Sequence, residues 1–268
     1  MTITIEDIRK TREEITGSGG FFELEDREID GHTYKVFKHA PSSSIDIIQN
    51  SRGHGEAEWL VYQGRRYSFS SFFEEVDACA AALQNLGIVA GDRIAIAMRN
   101  NPEWSIVFSA AMLVGAVVVP VNSWGKTEEL SYAITDSGSR MLICDVPRLR
   151  LLDEELDELD IDIVVVPDDR EYAAGERVQE WGAFVETGRG LRYQVAEPDP
   201  LDLCLILYTS GSTGSPKGVA HRHIAVTQSV FNMMYLGMLV ISLEGPREFK
   251  GGATVETGDF GAAAGTRR

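Results

Sequence analysis

Apolar and polar positions along this chain change period several times, and each change marks an element. In "SFFEEVDACAAALQNLG" the residues Phe72, Val76, Cys79, Ala80 and Leu83 recur at helical spacing, and Gly87 stands where a helix stop belongs. "DRIAIAM" alternates Ile94, Ile96 and Met98 with alanine and arginine, which predicts a strand. "PEWSIVFSAAMLVG" then predicts a helix, "AVVVPV" a strand, "KTEELSYAITDSG" a helix and "RMLICD" a strand. "PRLRLLDEELDELD" and "IDIVVVP" repeat the pair, and "LDLCLILY", Leu201 to Tyr208, reads as a further strand. Strands alternating with helices of this length predict parallel β-α-β units. Their near-continuous apolar runs suit a sheet covered on both faces. The predicted fold is α/β: a doubly wound, mostly parallel sheet flanked by helices.

Other stretches break this pattern. Residues 1–50 give mixed signals, end in the turn-like "APSSS", and are read as a lead segment before a domain at 51–243. Pro167 to Pro200 is polar and carries Gly175, Gly182, Gly188 and Gly190, which predicts a long irregular excursion. From residue 244 the chain is rich in Gly, Ala, Thr and Arg without apolar period, so 244–268 is expected to be an unpacked tail. Trp104 to Gly125 is uncharged and long, but Gly115 and Pro120 divide it. His223 to Leu243 carries His223, Thr227, Gln228, Ser229 and Asn232 among its apolar residues and is expected to be a buried globular helix. No membrane span is expected from either.

Charge narrows the partners. A formal net charge of −16 over 268 residues sets the surface against nucleic acid and anionic lipid, so neither is expected as a general partner. An anionic ligand would need its own cluster of donors. Cys79, Cys144 and Cys204 lie far apart, with neither metal-ligand nor disulfide-framework spacing. "MTITIEDIRKTREEITG" lacks the apolar core of a signal peptide, and with free thiols this predicts a cytoplasmic location.

The candidate chemistry lies in "YTSGSTGSPKG", Tyr208 to Gly218. The triphosphate-binding pattern GxxxxGK[ST] fails there: counted from Gly211, Pro216 replaces its second glycine and Gly218 its last hydroxyl. A dinucleotide GxGxxG fails at Thr213. The physical logic of phosphate binding survives both failures. Gly211 and Gly214 allow the backbone amides to converge, and Thr209, Ser210, Ser212, Thr213 and Ser215 can donate hydroxyl bonds. Lys217 adds a mobile charge, with Pro216 stiffening its approach. A flexible Ser/Gly linker is the alternative, against which stands the loop's place between an apolar strand and an apolar helix.

That segment resembles the phosphate-binding signature of the AMP-forming adenylating enzymes, which include acyl- and aryl-CoA synthetases, firefly luciferase and peptide-synthetase adenylation domains. The resemblance extends over about Ile45 to Leu243, through "GDRIAI", "NPEW", "GAVVVPVN" and "EELSYAITDSG" in order. "YKVFKHAPSS" adds a likeness to bacterial fatty-acid–CoA ligases, and "VAHRH" puts His223 where a Thr/Ser-His pair usually ends, with Arg222 in place of the small hydroxyl. The resemblance implies the N-terminal domain of the adenylating-enzyme fold, with ATP, Mg2+ and coenzyme A as cofactors and a carboxylic acid, a fatty acid by this likeness, as substrate. It further implies that Thr209, Ser210, Gly211, Ser212, Thr213, Gly214 and Lys217 bind phosphate, with Lys217 stabilising departing pyrophosphate.

The family's later motifs for adenine, magnesium, ribose and the C-terminal lysine are not identifiable, so a truncated domain is expected. "ETGDFG", Glu256 to Gly261, carries the letters of the ribose motif too close to the loop and reads as coincidence. Apolar surface left without cover would favour self-association. Two further readings therefore stand beside the ligase: a non-catalytic nucleotide- or partner-binding remnant, and a membrane-associated or structural protein built on His223–Leu243.

Overall fold

A computed structural model describes residues 3–155, 159–172, 177–209, 216–244, 247–248 and 254–255. Its contacts divide the chain into two units, one of Ser43–His223 and one of Met1–Ser42 with Ile224–Arg268.

The first unit opens with helix α2 (Ser44–Ser51), counted after α1 (Ile5–Thr16) of the other unit. Hairpin strands β3 (Glu58–Tyr62) and β4 (Arg65–Ser68) follow, numbered after β1 (Leu24–Ile29) and β2 (His32–Phe37) there. The predicted alternation comes next: α3 (Phe69–Asn85), β5 (Arg93–Ala97), α4 (Pro102–Leu113), β6 (Val117–Pro120), α5 (Thr127–Asp136) and β7 (Met141–Asp145). The order continues with α6 (Val146–Leu151), β8 (Asp162–Val166), β9 (Val178–Glu180), α7 (Trp181–Glu186), β10 (Leu203–Thr209) and β11 (Lys217–Arg222).

Local chemistry sets these boundaries. Ser68 caps α3, Asn101 caps α4 with Pro102 just inside, and Ser43 and Asp46 form a capping box on α2. Gly87 and Gly115 end their helices at φ +80° and +79°, a region glycine enters without steric cost.

Seven strands form one sheet in the order β11-β10-β6-β5-β7-β8-β9. All neighbours are parallel except β10 and β11. The doubly wound α/β reading is therefore observed. Ile94 to Ala97 are buried completely, so β5 is covered on both faces rather than half-buried as strict alternation would suggest. Since β6 and β7 flank β5 on opposite sides, the chain reverses its winding there. Open sheets of this kind bind ligands at the carboxyl ends of the strands beside such a switch.

The excursion from Pro167 to Pro200 is more ordered than expected. It contributes β9 to the sheet edge and the short helix α7, both too brief to show a period. Gly188 then passes against α3 so closely that a Cβ would stand 2.1 Å from the Ala78 carbonyl oxygen and 2.4 Å from the Ala82 nitrogen. Tyr193 donates to Asp77 of α3 at 2.7 Å, and Arg52 pairs with the same carboxylate. Helix α6 is shorter than "PRLRLLDEELDELD" predicts, and residues 156–158 of that stretch lie outside the described residues.

The second unit contains α1 (Ile5–Thr16), a hairpin of β1 (Leu24–Ile29) and β2 (His32–Phe37), and α8 (His223–Glu244) from Ile224 onward. Asp30 and Gly31, at φ 50° and 77°, make the hairpin's two-residue turn. Phe22, Phe37, Phe231 and Tyr235 meet edge-on or tilted, with ring centroids 5.8–6.1 Å apart. The Gln228 amide accepts from Phe37 N–H at 2.7 Å and donates to Phe37 C=O at 3.1 Å. Residues 1–42 are thus grouped with α8, whereas 43–50 of the lead segment belong to the other unit, a grouping that division at residues 50 and 243 does not express.

The expectation that His223–Leu243 is a buried helix is corrected: Met233 is 73% exposed, and Leu236 and Val240 are also exposed. By length and composition α8 is long and apolar enough to cross a membrane. Of the expected tail, β12 (Arg247–Glu248) and β13 (Thr254–Val255) pair antiparallel. Its other residues from 249 on, "ETGDFG" included, lie outside the described ones.

Candidate phosphate-binding site

β10 and β11 form an antiparallel hairpin in which Tyr208 faces Gly218 and Thr209 faces Lys217. The glycine–hydroxyl loop therefore closes a hairpin, where a direct strand-to-helix turn was expected. Ser210, Gly211, Ser212, Thr213, Gly214 and Ser215 lie outside the described residues. Thr209 and Lys217 are brought together as the two stems, and the Thr209 hydroxyl donates to the Lys217 carbonyl at 3.5 Å. Both stems are exposed. Because β10 runs parallel to β5, β6, β7 and β8, its loop leaves from the same rim as theirs.

That rim is braced by groups the sequence reading did not single out. Asp145 caps α6 through the Arg148 N–H at 3.2 Å, accepts from the Arg148 guanidinium at 3.0 Å, and accepts from the Arg99 N–H at 3.0 Å. Arg148 also donates from Nε to the Ser123 carbonyl at 2.9 Å. Asp145 and Arg148 are 9% and 5% exposed. One buried ion pair therefore ties together the chain leaving β5, β6 and β7. Only the cap was legible in advance, in an aspartate two residues before Pro147.

Beside the ion pair the rim opens into a cleft of about 980 Å3 bordered by Arg65, Arg99, Arg148, Arg150 and Arg170. Three of these arginines are neutralised, by Glu103, Asp145 and Asp168 respectively. The Arg99 guanidinium lies over the Trp124 ring. Its pKa is lowered, first by burial and then by Arg148, with Asp145 opposing.

Tyr208 also emerged only from the structure. Its hydroxyl donates to Asp136 Oδ2 at 2.6 Å. Burial, followed by the bond to and charge of Asp136, pushes its pKa above the ordinary phenol range. His223 is buried, and its Nδ1 accepts from the Ser44 N–H at 3.2 Å and lies 2.7 Å from Ser44 Oγ. It therefore joins the base of β11 to the start of α2. Its pKa is lowered, chiefly by burial. Cys79, Cys144 and Cys204 are buried free thiols, and burial raises the pKa of each, that of Cys204 to about 11. None is a poised nucleophile.

The family model for AMP-binding enzymes covers residues 48–243. The chain belongs to the AMP-binding enzyme family. It is 30% identical over 169 residues to 4-hydroxybutyrate–CoA ligase 2 of Metallosphaera sedula, across 61% of this chain and 31% of that one. It is 33% identical over 166 residues to long-chain-fatty-acid–CoA ligase FadD13 of Mycobacterium tuberculosis, across 60% and 30%. The chain thus spans about a third of the length of these curated relatives. Its fold matches the anthranilate CoA ligase AuaEII, solved with anthranoyl-AMP, at a TM-score of 0.64 and 23% identity over 78% of this chain and 39% of that one.

Proposed function

We propose that this member of the AMP-binding family serves an ATP-dependent acid–CoA ligase, activating a carboxylic acid as acyl-adenylate before thioester formation with coenzyme A. The observation that carries the reading is the pairing of Thr209 with Lys217 at the mouth of the loop, on the sheet's carboxyl rim. The donor set fits a polyphosphate: residues 209–217 hold five hydroxyls, two glycines, one lysine and no carboxylate. Ser210, Gly211, Ser212, Thr213 and Gly214 are assigned to the β- and γ-phosphates with the two stems.

Adenylation would supply the acid with a good leaving group, and magnesium bound with the triphosphate would share its charge. Within this chain, Lys217 meets the negative charge that builds on departing pyrophosphate, and the Thr209 hydroxyl, turned from its long bond to the Lys217 carbonyl, orients the same oxygens. The acid proposed is a medium- or long-chain fatty acid, supported by the likeness to a long-chain ligase. 4-Hydroxybutyrate is the natural control.

Calorimetry of MgATP binding to the full chain and to Lys217→Ala, with pyrophosphate release followed in the same samples, tests the reading. Binding lost in the variant, and release stimulated by a fatty acid, are the expected results. A folded wild-type chain that binds no MgATP overturns the phosphate assignment. Binding without release, with acid and coenzyme A present, overturns the ligase and leaves a nucleotide-binding protein.

A further inference from the structure

We infer that Tyr208 is a positioning residue for the phosphate loop, holding both loop stems in place through its hydroxyl's bond to Asp136 at the end of α5; the inference rests on the phosphate reading above. Tyr208 immediately precedes the stem residue Thr209, and its partner across the hairpin, Gly218, immediately follows the stem residue Lys217. The Tyr208 ring extends over Gly218: a Cβ at 218 would stand 3.1 Å from Tyr208 Cζ and 3.3 Å from its hydroxyl oxygen. Ile206 Cγ2 would lie at 3.1 Å from the same Cβ, so any side chain at 218 would crowd the ring and the strand beneath it, and glycine leaves the ring's path to α5 clear.

The body of the helix that the ring reaches is packed, with Asp136 itself exposed at its end. Leu130, Ala133 and Ile134 of α5 are buried, and Tyr208 packs against the same core cluster. The Thr127 hydroxyl ties the start of α5 to the Leu151 carbonyl at 2.8 Å. At the other end Asp136 also accepts from the Tyr132 hydroxyl at 3.3 Å, and the Tyr132 and Tyr208 rings meet edge-on at 6.3 Å. β11, by contrast, is the outermost strand, and residues 217–220 on it are exposed. A phenol–carboxylate bond is charge-assisted, so one contact couples the exposed hairpin to the packed helix. Ordering the stems before the ligand arrives lowers the cost of binding it.

The test uses the full chain. MgATP binding is measured by calorimetry for wild type, Tyr208→Phe, Asp136→Ala, their double variant, Asp136→Asn and Lys217→Ala, with hydrogen exchange of the Thr209 and Lys217 stem amides followed without ligand. Tyr208→Phe and Asp136→Ala are each expected to weaken binding about tenfold and to speed exchange, and the double variant to add nothing further. Asp136→Asn keeps an acceptor and is expected to restore most of the affinity. A purely structural bond would lower the unfolding temperature while leaving both the affinity of the folded chain and the stems' exchange unchanged. Wild-type affinity and exchange in Tyr208→Phe, alongside lost binding in Lys217→Ala, overturns the positioning role and leaves the phosphate reading standing. Absence of MgATP binding in the folded wild-type chain overturns both.

Discussion

β5 and β10 carry similar apolar letters, "RIAIA" and "LCLILYT", and meet different fates. β5 lies in mid-sheet between β6 and β7, and its last four residues are fully buried. β10 lies one strand from the edge, registers with β6 only at Leu205 and Val118, and leaves Leu207 38% exposed. An apolar run therefore states that a strand exists, and position in the sheet states how much of it is covered. The candidate site draws on both regions: a rim fixed by a buried ion pair, and a hairpin held at its outer edge.

The largest expected effect is on the rim. Asp145→Ala leaves the Arg148 guanidinium buried without its carboxylate and should cost about 3–5 kcal/mol, read from urea unfolding. A paired truncation then measures the contrast between strands. Ile96→Ala should cost about 2–5 kcal/mol, whereas Leu207→Ala should change stability by about 0.5 kcal/mol or less. Equal costs would mean that β10 is covered as β5 is.

Acid should act through His223. Its folded pKa is depressed below the ordinary 6.5, so the neutral form stabilises the fold. That stability is complete above the unfolded value and is lost as pH falls from there through the folded value, at no more than about 1.4 kcal/mol per pH unit. His223→Gln should flatten this part of the curve in pH-dependent unfolding. Smallest of all is the stability change in Lys217→Ala, within about 0.5 kcal/mol because the side chain is exposed, although loss of MgATP binding is expected from the same variant.

The alternation of periods from Phe72 to Val166 was legible because buried parallel strands and their covering helices write long repeating patterns. The hydroxyls and the lysine of the loop were legible because they are local in sequence. β9 and α7 were not, since three and six residues are too few to establish a period. Gly188 was visible as a letter, but its reason lies in α3, more than a hundred residues earlier.

Sequence by itself determined the α/β class, the family and the donor content of residues 209–217, five hydroxyls and one lysine. Tertiary structure alone decided that the loop closes an antiparallel hairpin, that Asp145 and Arg148 brace three strand ends, and that Tyr208 crosses Gly218 to reach Asp136. The physical reason is range. Periodicity and donor content are properties of neighbours along the chain, whereas burial, register and ion pairing depend on which distant segments the sheet order sets side by side.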